Sequence, residues 1–341
     1  MRSRASEPAM MRIAIAGGGG FAQILAQQIN QTAHALLVLS RSPRPELEEF
    51  CPGCQVAVVD YADVEDLRYT LQGVDLLIST IAGNEQLNLI DAARRARVRV
   101  FVPSEFEGDL SHRPANDPLD RGSQSALEIL ERWLSQSQSQ SSKGQSRSQS
   151  HHHMRYTVFS CGIFMERFGP GGLQTYRLGT GSGVAGPDDY LVNVQEGRAE
   201  IVPTDSHGRP AHVSLTSVYD VAQFITAAIE LGIGNWPKEF RMRGDSMTVQ
   251  ELVRTCSNVR QIPFTVISLS YRDAEAQADA CQQCGDWAQW YYYQRLLQTA
   301  NGRYHVCQVN LNNLVNQGEG TRVQPMRFST WLERVWGPAA M

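Results

Sequence analysis

The stretch Arg12-Ile13-Ala14-Ile15-Ala16-Gly17-Gly18-Gly19-Gly20-Phe21 decides the fold. A short apolar run predicts a buried strand, and four glycines end it at once. Beyond them Phe21, Ile24, Leu25 and Ile29 keep helical spacing, so the segment reads strand, tight turn, helix. Gly17 can take the tight turn, and Gly20 lets a ligand approach the main chain. The helix start offers N–H groups and the positive end of a dipole, which together suit a pyrophosphate. Gly17, Gly19, Gly20, Phe21 and Ala22 are the residues this reading assigns to it. The third glycine of the usual fingerprint is replaced by Gln23, so close helix–strand packing is not expected there.

Working outward, the pattern repeats. Residues 36–39, 55–59, 74–79 and 98–102 are further apolar runs, with helical patterns at 63–71, 84–97 and 126–134 between or after them. Continuously apolar strands alternating with helices predict an α/β fold, a Rossmann-type doubly wound parallel sheet. A smaller mixed C-terminal substrate-binding part should follow. The expected boundaries are a disordered leader at 1–11, a nucleotide-binding domain at 12–161, and the substrate part at 162–341. Some segments of that last part should return to the first domain. Residues 135–153, almost all Gln and Ser and ending in His151-His152-His153, should be a disordered insertion. The histidine run reads as a solvated loop edge. In the C-terminal part, 218–231 has the spacing of an amphipathic helix and Thr248-Val249-Gln250-Glu251 that of a capping box. The aromatic run Trp287, Trp290, Tyr291, Tyr292 and Tyr293 reads as core or interface.

The end of the second strand selects the ligand. An acid about 20 positions past the loop would hold the ribose of NAD. The sequence has Ser40-Arg41 there instead, with Arg44 nearby, and a guanidinium forks onto a 2′-phosphate. The dinucleotide expected is therefore NADP(H).

Bulk properties narrow the classes. A net charge of −4 gives no basic field for nucleic acid. No apolar run approaches the ~20 residues of a membrane span. Seven cysteines rule out a complete disulfide framework. Two C-x-x-C pairs, Cys51/Cys54 and Cys281/Cys284, lie far apart without knuckle-like flanks, so no metal is expected. The setting that fits is a reducing cytoplasm, and the expected state is a monomer or homodimer. Basic residues are nearly all arginine, and Lys143 and Lys238 are the only lysines.

The chain resembles fungal NmrA-like, isoflavone-reductase-like proteins, which are atypical short-chain dehydrogenases/reductases. The resemblance rests on 13–21, on Val102-Pro103-Ser104-Glu105-Phe106, on Gly162-Ile163-Phe164-Met165-Glu166-Arg167-Phe168, and on 326–334. It implies that Thr80 and Ile81 face the cofactor, with Ser104, Glu105 and Phe106 beside the nicotinamide. Gly162, Ile163 and Phe164 would share that side. It also implies an acid/base lysine on the helix after Pro-Ser-Glu-Phe, where this sequence has Ser123. No Tyr-x-x-x-Lys pair occurs. Glu166, Arg121 and Ser123 are the candidate catalytic residues, with Glu105, Asp109 and Tyr176 as other groups near the expected site. Glu166 sits in an apolar stretch, where burial would raise its pKa. A structural pair with Arg121 or Arg167 is the plainer role for it.

Three readings remain. One is an NADPH-dependent reductase of a hydrophobic small molecule (iminium, enone or carbonyl) in fungal secondary metabolism. The second is a non-redox, Pictet–Spengler-type cyclase of an indole alkaloid precursor that keeps NADP(H) as a structural cofactor. The third is an NADP(H)-sensing regulatory protein.

Overall fold

The computed structural model describes residues 10–141, 154–179, 186, 190–317 and 322–337. The leader before residue 10 and the insertion from 142 to the three histidines lie outside the described residues. The chain divides into two compact units. Unit 1 comprises residues up to Glu105, then Asp120–Phe159 and Ile225–Phe240. Unit 2 comprises Phe106–Leu119, Ser160–Phe224 and the chain from Arg241 onward.

Unit 1 is built on six parallel strands: β1 (Arg12–Ala16), β2 (Ala35–Ser40), β3 (Gln55–Val58), β4 (Leu76–Ser79), β5 (Val100–Val102) and β6 (Arg155–Tyr156). Their order is β3-β2-β1-β4-β5-β6. Ile15 pairs with Val38 on one side and Ile78 on the other. The central strands are buried almost throughout, whereas edge strand β3 is open at both ends. That difference follows from helices covering both sheet faces, which requires apolar residues at every position of an inner strand. The helices of this unit are α1 (Gly20–Ile29), α2 (Pro45–Phe50), α3 (Val64–Thr70), α4 (Asn84–Arg95) and α5 (Ser123–Ser141). Helix α1 buries Phe21, Ile24, Leu25 and Ile29, the residues whose spacing announced it.

The expectation of disorder from residue 135 needs correction, because α5 runs on to Ser141. Once a helix is nucleated, each added residue gains a hydrogen bond, so a Gln/Ser tail can continue it. Two short strands follow the insertion. Strand β6 completes the parallel sheet, and β7 (Val158–Ser160) pairs with β12 (Glu239–Arg241).

Unit 2 holds two three-stranded sheets. One orders β13 (Asp245–Thr248), β11 (His212–Thr216) and β8 (Ile163–Phe164). The other orders β14 (Thr265–Ser268), β10 (Arg198–Ile201) and β9 (Val192–Asn193). Helix α6 (Val218–Glu230) begins in unit 2 and ends in unit 1. Helix α7 (Val249–Arg260) opens with the expected capping box of Thr248 and Glu251. Helices α8 (Tyr271–Cys284), α9 (Trp287–Ala300), α10 (Leu311–Asn316) and α11 (Phe328–Trp336) follow. Met165, Phe168, Leu215, Val253, Leu296 and Phe328 are among the core residues, and Trp290, Tyr292 and Tyr293 pack against that core. Trp287 and Tyr291 of the same aromatic run are exposed.

Candidate functional site

The chain runs β1-β2-β3 to one side and β4-β5-β6 to the other. Order therefore reverses between β1 and β4, the place where open α/β sheets bind ligands. The glycine loop leaves β1 at that point. Gly17 has φ +118°, and a Cβ there would lie 2.2 Å from Thr80 Oγ1. Its N–H donates to the Leu39 carbonyl at 2.9 Å, while the Thr80 N–H and hydroxyl both donate to the Ala16 carbonyl at 2.8 Å. The loop is thus pinned to β2 and to the segment after β4. Glycine is required at 17 for conformation and for space.

Gly19 is the N-cap of α1, in extended conformation, with no side-chain cap and no acid in the first turn. A helix that begins uncapped on glycine leaves its positive end open to an anion. Gln23 does not disturb this. Its Nε2 turns back to the Gly18 carbonyl at 3.4 Å.

The basic residues stand at the end of β2. Ser40 is buried, with Arg41 and Arg44 beyond it. Arg41 is largely exposed and meets Glu85 of α4 at 3.4 Å. Arg44 lies across the loop: a Cβ on Gly18 would be 2.8 Å from its Nε and 3.1 Å from Ser40 Oγ. Its Nε donates to Ser40 Oγ at 3.3 Å. Arg44 is therefore the guanidinium closest to the glycine loop, and the sequence reading had centred on Arg41. The donor set fits a phosphorylated dinucleotide. It offers a backbone cradle with no room for a Cβ at Gly17, an open helix start, a serine hydroxyl and two guanidiniums.

The Pro-Ser-Glu-Phe segment follows β5. Glu105 is buried, and Ser104 N–H donates to Gln86 Oε1 at 2.7 Å. Gln86 is 1% exposed on α4, so a buried amide fixes the turn that carries Ser104 and Glu105. Sequence reading missed Gln86 because its partner lies 18 positions away and nothing in a helical pattern marks one buried glutamine. Phe106 begins the part of the chain that belongs to unit 2.

The candidate catalytic residues divide between the units. Arg121 and Ser123 lie in unit 1, Ser123 opening α5 and Arg121 exposed before it. A Cβ on Gly122 between them would lie 3.2 Å from the Gly83 Cα, so this turn packs closely on the start of α4. Glu166 lies in unit 2, just past Gly162, Ile163 and Phe164, and is fully buried. Ser217 Oγ donates to one of its oxygens at 2.7 Å and Val218 N–H to the other at 2.9 Å. Both oxygens are thus engaged by the start of α6, a capping role that the sequence did not suggest. Burial raises its pKa to about 7 against these hydrogen bonds, and nearby Asp220 adds to the rise. Tyr176 and Tyr219 feel its charge and are pushed up as well, chiefly by their own burial. Asp109 is buried, caps a short turn through Ser111 and faces Arg241 at 3.6 Å.

Lysine chemistry is tied up elsewhere. Lys238 Nζ binds both oxygens of Glu131, at 2.8 and 3.0 Å, and the Tyr156 hydroxyl binds the same carboxylate. Lys143 lies outside the described residues.

A parallel sheet in this order, with this loop at its switch point, defines a dinucleotide-binding Rossmann protein. The arginines at the end of β2 fit the 2′-phosphate of NADP(H). A family model described as NAD(P)H-binding matches residues 17–176. Residues 17–176 thus match an NAD(P)H-binding domain, in agreement with the resemblance read from the sequence. A curated relative, the oxidoreductase swnR of Metarhizium robertsii, is 35% identical over 111 residues. That match covers 30% of this chain and 35% of the relative, so it spans about a third of the curated protein. The swnR oxidoreductase of Arthroderma benhamiae is 32% identical over the same share. Among solved structures, the NADPH complex of an NADPH-dependent quinone oxidoreductase from Escherichia coli aligns with TM-score 0.62 at 17% identity. It covers 95% of this chain and 99% of that one. The NADPH complex of leucoanthocyanidin reductase from Vitis vinifera aligns with TM-score 0.60 at 14% identity, covering 92% and 97%. Both are likenesses of fold. No helix among the described residues is long and apolar enough to cross a membrane.

Proposed function

We propose that this protein is an NADPH-dependent reductase of a hydrophobic small molecule with an electron-poor carbon, in fungal secondary metabolism. One observation carries the reading: the uncapped start of α1 stands over a glycine floor with Arg44 drawn across it. Bound NADPH would supply hydride to the substrate. The chain's own residues bind and orient: Gly17 to Ala22 hold the pyrophosphate, and Ser40, Arg41 and Arg44 hold the 2′-phosphate. Thr80 and Ile81 line the loop, with Ser104 and Glu105 assigned to the nicotinamide by family resemblance. The fungal relatives named oxidoreductases support the redox class.

The substrate class follows from the missing lysine. Reduction of a carbonyl benefits from an acid that protonates the alkoxide, whereas reduction of an iminium needs none. With Ser123 at the lysine position and Lys238 held by Glu131, an iminium or a conjugated acceptor suits the residues best. A second reading, acid/base cyclisation without redox, is favoured by Glu166. A carboxyl with a pKa near 7 can give and take a proton at neutral pH. Incubating the purified protein with imines, enones and ketones while following NADPH absorbance separates the readings. Product formed in step with NADPH loss supports the reductase. Product without NADPH loss supports the cyclase. Tight NADPH binding without product in any assay supports a regulator instead.

A further inference from the structure

We propose that Glu85 is a specificity-determining residue for the dinucleotide, competing with the 2′-phosphate for Arg41. The inference rests on the NADP(H) site in unit 1. At the end of β2 the chain carries no acid, yet a carboxylate is present there, delivered from another element. Glu85 stands in the first turn of α4, after β4, and its Oε1 lies 3.4 Å from Arg41 Nη1. Strands β2 and β4 flank β1 on opposite sides. The pair therefore spans the carboxyl end of β1, where the glycine loop starts. Tyr61 gives an independent reading of the same place. Its hydroxyl donates to the Leu39 carbonyl at 2.8 Å, the carbonyl that also accepts from Gly17 N–H. Glu85 and Arg41 both act on that buried phenol, with opposite sign.

Two consequences follow from the charges. A 2′-phosphate bound by Arg41 must share the guanidinium with Glu85 or displace it, and the two anions repel. A ribose with a free 2′-hydroxyl meets no such conflict. The same carboxylate can accept that hydroxyl, as an acid at the end of β2 does in NAD-binding Rossmann sites. Glu85 thus lowers the preference for the phosphorylated dinucleotide that Arg41 and Arg44 create. Both members of the pair are exposed, 75% for the Arg41 side chain and 43% for Glu85, so the effect is modest and screened by salt.

The test is the dissociation constant of the full chain for NADPH and for NADH, read by quenching of tryptophan fluorescence at low ionic strength. Glu85→Gln is expected to tighten NADPH by roughly fivefold and to weaken NADH by about threefold, a size suited to exposed pairs. The ratio of the two constants then moves by about fifteenfold. Adding Arg41→Gln to Glu85→Gln should remove the gain for NADPH, because the competitor no longer has a cation to compete for. Constants that change by the same factor, or a ratio within twofold of the parent, overturn the role of Glu85 while leaving the NADP(H) site standing. A parent chain that binds neither nucleotide overturns the site and this inference together.

Discussion

Replacing Gly17 by alanine tests the phosphate loop at its tightest point. The substitution meets two separate obstacles. The backbone sits at φ +118°, where an L side chain is strained by about 1–3 kcal/mol. The new methyl would also lie 2.2 Å from Thr80 Oγ1, so the threonine must rotate and lose its 2.8 Å hydrogen bond to the Ala16 carbonyl. That loss adds about 0.5–1.5 kcal/mol. The combined cost is roughly 2–4 kcal/mol, borne either by folding or by the cofactor site. If the loop keeps its shape, thermal unfolding shifts down and NADPH affinity stays close to the parent's. If the loop relaxes, the protein melts normally and the NADPH dissociation constant rises roughly 30- to 700-fold, at 1.4 kcal/mol per decade. Calorimetry and a fluorescence titration on the same samples give both parts. Thr80→Ala removes the collision but not the backbone strain, so in that background Gly17→Ala should cost only the strain, about 1–3 kcal/mol. A Gly17→Ala protein that unfolds at the parent's temperature and binds NADPH within twofold of it would refute this account of the loop.

Other substitutions probe the remaining contacts. Arg44→Ala should weaken NADPH more than NADH by about tenfold or more, since a charged hydrogen bond to the 2′-phosphate is lost, and paired titrations check it. For Glu166 the sign is set by its raised pKa. Between its ordinary value of 4.5 and about 7 the folded chain holds a proton that the unfolded chain has released. Stability therefore falls as pH rises through that window, by about 3 kcal/mol in all, and is fully present only below it. Asp220, also raised mainly by burial, contributes with the same sign. Glu166→Gln should flatten most of the slope in denaturant melts run from pH 4.5 to 8, and an unchanged slope would assign it to other groups. Gln86→Leu should cost about 1–3 kcal/mol in the same melts, because the Ser104 N–H loses its acceptor.

The fold was legible because its signals are local. The run from Arg12 to Phe21 contains a strand, its turn and its helix. The inner strands announce themselves by having no polar position to alternate with. Arg41 and Ser40 were legible for the same reason, since a fixed offset from the loop brings the end of β2 beside it. Contacts made across the sheet were not. Glu85 and Gln86 sit side by side on α4, yet one reaches back to the end of β2 and the other forward to the turn after β5. No periodicity marks either. Glu166 shows the limit most clearly. The sequence placed it in an apolar setting and so anticipated a raised pKa. It offered Arg121 and Arg167 as partners, while the structure binds the carboxylate to a helix start 51 and 52 positions downstream. Sequence spacing cannot reveal which helix a buried acid caps. The extension of α5 to Ser141 has the opposite cause, since composition argued for disorder while helix propagation asks only for a nucleus already formed.

The division of the chain has a consequence for biosynthesis. The polypeptide crosses between the two units five times, and the last piece of unit 1 is Ile225–Phe240. A ribosome that has made the glycine loop and all six strands of the parallel sheet has still not supplied that piece. Unit 1 has all its segments only after Phe106–Leu119 and Ser160–Phe224 of unit 2 have emerged, and unit 2 has all of its own later still, so the two are interleaved in synthesis. Neither can be obtained intact by cutting the gene at one place. Limited proteolysis during translation should accordingly find the nucleotide-binding half unprotected until residue 240 has left the exit tunnel.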